Sequence, residues 1–292
     1  MYFYSAFGLN IASDVPLNKL IAAGELKPDV AFCFGKAEVV IDNPIIVKKT
    51  FQANHFSFAY HVADTLFYFN FLNKKLIFSY TNKQQFELYL YGPVIALISA
   101  YFGKIPLHAS GLIVHDKTIL IAGNSGAGKS TLLFHFIQNY QARFFSDDIV
   151  VMEKKGSIIQ ANPSFAEIKL WLDAIERFNA NIIKPVHPDI KKYFVDVKSF
   201  FINKIQIPQV VFIIQTTQNT TAQFEKVTGV NKFLYLIKNV YRRNHIEILF
   251  KKNIFELVAT LANQTQVYIL HRPFAINNEL WNEFVDSCLE QI

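Results

Sequence analysis

One stretch, Gly123-Asn124-Ser125-Gly126-Ala127-Gly128-Lys129-Ser130, limits what this chain can fold into more than any other. The spacing Gly-x4-Gly-Lys-Ser suits a loop whose successive backbone N–H groups turn inward around a phosphate. Glycine permits both the unusual dihedrals and the close approach that such a turn needs. An apolar strand is expected just before it, over 118–122, and an apolar helix just after it, over 129–138, so the helix's positive end adds to the field. In that setting Lys129 reaches the β- and γ-phosphates, the Ser130 hydroxyl can ligate Mg²⁺, and Thr131 completes the cradle. Four specified positions at average frequencies occur by chance in roughly one chain in a hundred of this length. The flanking strand and helix make coincidence rarer still. The motif implies a bound nucleoside triphosphate, with ATP and Mg²⁺ the expected pair.

The rest of the composition narrows the class. The 292 residues are 51% hydrophobic and 18% charged, enough for a large core and one or two domains. The net charge of +6 favours anionic partners without choosing among them. No dense Lys/Arg tract stands out, so no nucleic-acid partner is expected. Cys33 and Cys288 stand far apart, in no metal-like spacing, which argues for a reducing compartment without disulfides. The N-terminus shows no positive segment before its apolar stretch, and the longest apolar run, 92–102, is short for a bilayer. The expectation is a cytoplasmic protein with no membrane segment; self-association into a homo-oligomer stays open.

Two regions differ in pattern. Residues 1–90 read as a β-rich N-terminal domain. Phe56, Phe58 and Tyr60 alternate toward one face, and further strands are expected over 31–34, 38–41, 66–71 and 76–80. An antiparallel sheet is the natural assembly. Residues 91–292 read as the phosphate-loop domain, opening with a buried helix over 93–101 that Gly103 closes. Strands over 111–114 and 118–122 meet at His115-Asp116-Lys117 as a hairpin. Further strands are expected over 143–146, 149–152, 157–160, 210–215 and 267–270, and helices over 232–238, 254–263 and 280–289.

Asp147-Asp148 is the second constellation. A helix leaving Lys129 advances about 15 Å at 1.5 Å per residue, and a strand over 143–146 returns a similar distance. The two carboxylates therefore arrive beside the phosphate loop, where one can hold Mg²⁺ and the other can accept a proton. The plainer alternative is a polar turn between strands. The buried strand 210–215, where a magnesium aspartate often ends in phosphate-loop enzymes, ends in Gln215 instead.

Leu107-His108-Ala109-Ser110, the hairpin, the phosphate loop and Phe145-Ser146-Asp147-Asp148 together resemble the HPr serine kinase/phosphorylase family. The match is good over about 106–148 and loose beyond. The resemblance implies an α+β / α/β fold: a mainly antiparallel β domain, then a phosphate-loop kinase core like that of HPr kinase and phosphoenolpyruvate carboxykinase. It implies that Asp147 is the general base, that Asp148 and Ser130 hold Mg²⁺, and that His108 sits beside Asp147 and tunes it, although His108 is also readable as an ordinary core histidine. The family's glycine-bearing signature is missing; at its place Glu167 is either a further metal ligand or a solvated strand residue. The opening Tyr4-Ser5-Ala6-Phe7-Gly8-Leu9 resembles a divergent branch of peptide-tailoring kinases associated with lasso peptides. The implied activity is transfer of the ATP γ-phosphate to a serine on a peptide or small protein, with the N-terminal sheet as a docking candidate. A small-molecule kinase and a non-catalytic nucleotide sensor are the alternatives. Arg242, Arg243, His271 and Arg272 are weaker candidates for meeting the phosphate. Replacing Lys129 with Ala is expected to weaken MgATP binding by at least about tenfold in a calorimetric titration, since one of the loop's two ligand types is removed.

Overall fold

Period-two alternation organises the first eighty residues as expected, but into a larger sheet than the motifs alone suggest. The computed structural model describes residues 1–36, 39–187 and 189–292. Eight strands, β1 (Tyr2–Ala6), β2 (Leu9–Ser13), β3 (Val30–Phe34), β4 (Ile46–Lys48), β5 (Phe51–Ala53), β6 (Ser57–Val62), β7 (Thr65–Asn70) and β8 (Lys75–Ser79), form one sheet in the order β1-β2-β3-β8-β7-β6-β5-β4. Most neighbours are antiparallel, but β3 runs parallel to both β2 and β8. The antiparallel expectation is corrected there: long connections on both sides of β3 supply the crossovers that parallel pairs require. Glu38, where the strand expected over 38–41 would begin, lies outside the described residues, and Val39 to Ile41 form no strand. Phe56 sits in the turn before β6 and is 60% exposed, whereas Phe58 and Tyr60 are buried. At one edge of the sheet, Tyr4 of β1 bridges to Ala22.

The buried phenylalanines of this sheet pack onto a helical segment. Phe67 and Phe78 stack on Phe86 of α1 (Lys83–Tyr89), with ring centroids 5.6 and 4.8 Å apart. A tight turn around Gly92 and Pro93 leads into α2 (Ile95–Tyr101), whose residues Ile95 to Ala100 are all buried. A helix apolar on every side must be covered on every side. Leu120 and Ala122, Val211 and Ile213, and Val267 and Ile269 belong to the same core cluster as the phenylalanines, so one core spans residue 90.

Those three residue pairs belong to a six-stranded mixed sheet. Its strands are β10 (Ala109–Val114), β11 (Lys117–Gly123), β12 (Arg143–Ser146), β18 (Val210–Thr217), β19 (Gln223–Val227) and β20 (Gln266–Pro273), ordered β12-β10-β11-β18-β20-β19. The β10–β11 turn places His115 and Asp116 at φ 47 and 59°, the twin left-handed pair that a two-residue hairpin favours. β11, β18 and β20 are mutually parallel, and β12, antiparallel to β10, shares their direction. Gly123, Ser146 and Arg272 therefore all reach the same edge of the sheet. The opposite face carries Ile119, Ile121, Phe212 and Leu270 against α3 (Lys129–Tyr140) and α7 (Asn278–Leu289).

Two three-stranded sheets complete the β-structure. β9 (Ile105–Leu107), β13 (Val150–Lys155) and β14 (Ile158–Asn162) form one; β15 (Ile168–Trp171), β17 (Ile190–Val195) and β16 (Ile182–His187) form the other. The remaining helices are α4 (Leu172–Phe178), α5 (Val230–Lys238) and α6 (Arg243–Gln264). No described helix is long and apolar enough to cross a membrane.

Gly111 governs how β12 reaches the edge. It pairs with Ser146, and a Cβ there would lie 2.3 Å from the ring of the fully buried Phe145. Gly111→Ala is expected to destabilise the fold by about 1–3 kcal/mol through overpacking, measured as a lower urea midpoint at unchanged m-value.

Candidate functional site

The glycine-rich loop is shaped by three left-handed glycines and by contacts across the sheet edge. Gly123 has φ 139°, and a Cβ there would meet the Ile214 carbonyl oxygen of β18 at 2.6 Å. Gly126, at φ 82°, faces open space, and Gly128, at φ 105°, precedes α3 with Arg272 Nη1 against it. The Ala127 N–H donates to the Asn124 carbonyl at 3.1 Å, and Arg272 donates to the Ala127 carbonyl at 3.2 Å. Lys129 is buried, and its ammonium donates to the carbonyls of Gly123 and Asn124 at 2.9 and 3.1 Å, leaving one of its three N–H groups uncommitted. Burial pulls its pKa below the ordinary lysine value, against the opposing pull of Asp148 and Asp147.

The two aspartates part company. Asp147 is 7% exposed and accepts from Ser130 Oγ at 3.0 and 3.1 Å, from Ser110 Oγ at 2.7 Å and from the Lys169 N–H at 3.3 Å. Asp148 turns the other way, toward Lys169 Nζ at 2.9 Å and His108 Nε2 at 3.4 Å. The cause is local. Asp148 adopts φ 72°, and the Ile149 N–H returns to the Asp147 carbonyl at 2.9 Å, so the tight turn aims successive side chains apart. The expectation that His108 sits beside Asp147 is corrected on this point: its ring neighbours Asp148. Burial pushes the Asp148 carboxyl up, but the Lys169 ammonium and the His108 imidazole outweigh it and hold it well below the usual carboxylate range. Burial would lower Lys169, but Asp148 wins there too and raises it.

Glu167 does not join them. It pairs with Lys19 at 2.6 Å, and Lys19 also lies 3.6 Å from Glu87 and 3.9 Å above the Phe194 ring. Lys19 is itself almost fully enclosed, and removing Glu167 would leave its buried charge with only the longer contact to Glu87. Glu167 is thus a structural acid just ahead of β15, neither a ligand at this site nor a solvated strand residue. Arg243 pairs with Glu247 and His271 with Glu225, both outside the two clefts lined by the loop.

Two clefts meet at Asp148. One, of about 120 Å³, is lined by Ser125, Gly126, Gly128 to Thr131, Asp173, Arg177, Arg272 and Asn278. The other, of about 400 Å³, runs past Gly123 and Asn124 to Lys238, Tyr241 and Arg242. His108, Ser125, Asp148, Lys169 and Lys192 line both. A larger cavity of about 610 Å³ lies between the β1–β2 hairpin and β13 and contains none of these residues. Ser110, Lys169, Lys192 and Arg177 are members that sequence reasoning gave no role. The alternation of Ile168 and Leu170 with Lys169 and Trp171 was the available signal, and Trp171 pairs with Lys192 in register.

The donor chemistry fits a hard divalent cation. Ser130 Oγ and the Asp147 carboxylate lie together at the start of α3, and both are oxygen ligands of the kind Mg²⁺ takes. Among the described residues no three His, Cys, Asp or Glu side chains gather as a metal group. A magnesium held through one carboxylate, one hydroxyl, waters and substrate phosphates needs no such group.

The chain matches no protein-family model and no curated protein. Among solved structures it is similar to the Hpr(Ser) kinase/phosphatase from Coxiella burnetii, over 64% of this chain and 88% of that one, at 11% identity and a TM-score of 0.34. So remote a likeness assigns neither family nor activity, which must come from the side chains themselves.

A group whose folded pKa is depressed stabilises the fold above its unfolded value, near ~3.9 for Asp, and loses that contribution as pH falls through the folded value. Asp148 is of this kind. Lys169→Met is expected to move the Asp148 titration upward in carboxyl NMR, and to bring the onset of acid destabilisation to higher pH.

Proposed function

We propose that this chain transfers the γ-phosphate of MgATP to a hydroxyl, and that the acceptor is a serine of a peptide or small protein. The observation that carries the reading is the shared wall of the two clefts. The loop cleft has the backbone cradle, Lys129, Arg177 and Arg272 for a triphosphate, and the other cleft shares Asp148 with it. A donor phosphate in one cleft and an acceptor hydroxyl in the other would then meet at the same carboxylate, the positioning on which phosphoryl transfer depends. The serine acceptor rests on the motif resemblance to the HPr serine kinases and to the peptide-tailoring branch. ATP as donor makes the cytoplasm the expected setting.

Ser130 and Asp147 would hold Mg²⁺, and Ser110 keeps the Asp147 carboxylate aimed at Ser130. Bound Mg²⁺ supplies neutralisation of charge on the phosphate oxygens. Lys129 and the loop N–H groups orient the triphosphate, and Arg272 buttresses the loop through Ala127. Asp148 receives the hydroxyl proton as the new oxygen–phosphorus bond forms and the bond to the departing ADP breaks. Its low pKa makes it a modest base that is always ionised at neutral pH. That suffices where the transition state is loose and positioning dominates. Lys169 then bridges the two sides, balancing Asp148 and facing both clefts.

This reading exchanges the two aspartate roles that the family resemblance implies, and the exchange is testable. Asp148→Asn should lower turnover by about a hundredfold or more while MgATP affinity is kept. Asp147→Asn should instead lose the Mg²⁺ dependence of nucleotide binding. Full turnover in Asp148→Asn, with turnover lost and Mg²⁺ dependence intact in Asp147→Asn, would restore the original assignment. ADP release with serine peptides and with free metabolites separates a peptide kinase from a small-molecule kinase, and ADP release with neither leaves a sensor.

A further inference from the structure

The far cleft has a charge imbalance that the triphosphate does not explain. Its lining carries Lys169, Lys192, Lys238 and Arg242 against the single carboxylate of Asp148. Lys169 is matched by Asp148. Lys192 also lines the loop cleft, where it can serve the nucleotide. Lys238 and Arg242 line only the far cleft, and among the described residues neither has a carboxylate partner. Aromatic rings lie beside both: Lys238 Nζ is 5.5 Å from the Tyr235 ring, and the Arg242 guanidinium is 5.9 Å from the Tyr241 ring.

The backbone that carries these two cations is anchored close to the reacting carboxylate. The segment joining α5 to α6 docks on β9, the strand that runs into His108. The His108 N–H donates to the Asn239 carbonyl at 2.8 Å, the Tyr241 N–H donates to the Pro106 carbonyl at 2.9 Å, and Val240 bridges to Leu107. The His108 ring then meets Tyr241 edge-on at 5.6 Å. Arg242 is held at φ 51°, a left-handed conformation that costs a non-glycine residue energy. The same cleft also has apolar lining, from Leu88, Val186 and Val240.

We propose that the acceptor is an acidic peptide, with Asp or Glu beside its reacting serine, and that Lys238 and Arg242 bind those carboxylates while Leu88, Val186 and Val240 take apolar neighbours. This rests on the transfer reading above and names the substrate class for it. A carboxylate held at the cleft mouth places the hydroxyl deeper, at Asp148. Arg242 can engage it through two parallel N–H groups. The +6 net charge of the whole chain adds long-range steering but not position.

The test is binding of three fluorescent peptides of equal length, with serine flanked by Glu, Gln or Lys, to the MgADP-loaded protein at physiological salt. The Glu peptide is expected to bind about three- to tenfold more tightly than the Gln peptide, the range two exposed ion pairs supply. In K238A/R242A the difference should vanish, and in K238E/R242E it should invert in favour of the Lys peptide. K27E/K36E, which removes the same charge elsewhere on the surface, should keep the wild-type order. Equal binding of the Glu and Gln peptides to wild type would overturn the proposal. So would equal losses in K27E/K36E and K238E/R242E, which would reduce the effect to bulk charge. Weakened MgATP affinity in K238E/R242E would also overturn it by assigning these cations to the donor. Replacing MgADP with MgATP and weighing the Glu peptide separates the two readings: tight binding without added phosphate sinks transfer and leaves the docking site standing.

Discussion

The buried carboxylate of Asp147 is the contact on which the site depends. A charge this enclosed is tolerated only when its lone pairs are filled. Here the donors come from three different elements: Ser110 from β10, Ser130 from the first turn of α3, and the Lys169 N–H from β15. Satisfying one anion therefore ties the loop helix, the hairpin and the small three-stranded sheet to the end of β12. Ser146, directly before Asp147, secures the same corner from within, donating to Ile149 O or Ser164 Oγ.

Asp148 and Lys169 give that corner its asymmetry. One aspartate is enclosed by hydroxyls and faces the phosphate loop; its neighbour is more open and balanced by an ammonium and an imidazole. Beyond Lys169 a second ionic cluster continues the charge pattern inward, with Lys19 between Glu167 and Glu87 and above Phe194, and with Lys184 3.5 Å from Glu87. This cluster joins the segment after β2 to α1, β15 and β16. It explains why Glu167, expected near the metal, is spent on neutralising a buried lysine instead.

Legibility in the sequence followed the range of the interactions. The strand over 143–146 and the helix after Lys129 were readable because apolar periodicity and glycine positions are local signals. The expected return of the aspartates to the loop edge matches where β12 ends, because rise per residue is a fixed quantity. β15 to β17 were missed. β16 and β17 mix Lys, Pro and Tyr on a half-exposed surface and pair irregularly, so their alternation is broken, whereas β15 alternates cleanly but over four residues only. The parallel placement of β3 was equally unreadable, since it depends on connections rather than on the strand itself.

What the sequence determined alone is the loop: glycines at the required spacing, a lysine and a serine opening a helix, and two carboxylates a strand-length away. These follow from dihedral preference and residue rise, which act within a few residues. Only the tertiary structure decided which aspartate meets Ser130 and which meets His108. That choice turns on the left-handed backbone at Asp148 and on partners 17 to 40 residues distant. It also brought Lys169, Lys238 and Arg242 to one cleft, through strand pairings and a docked loop that no local pattern encodes.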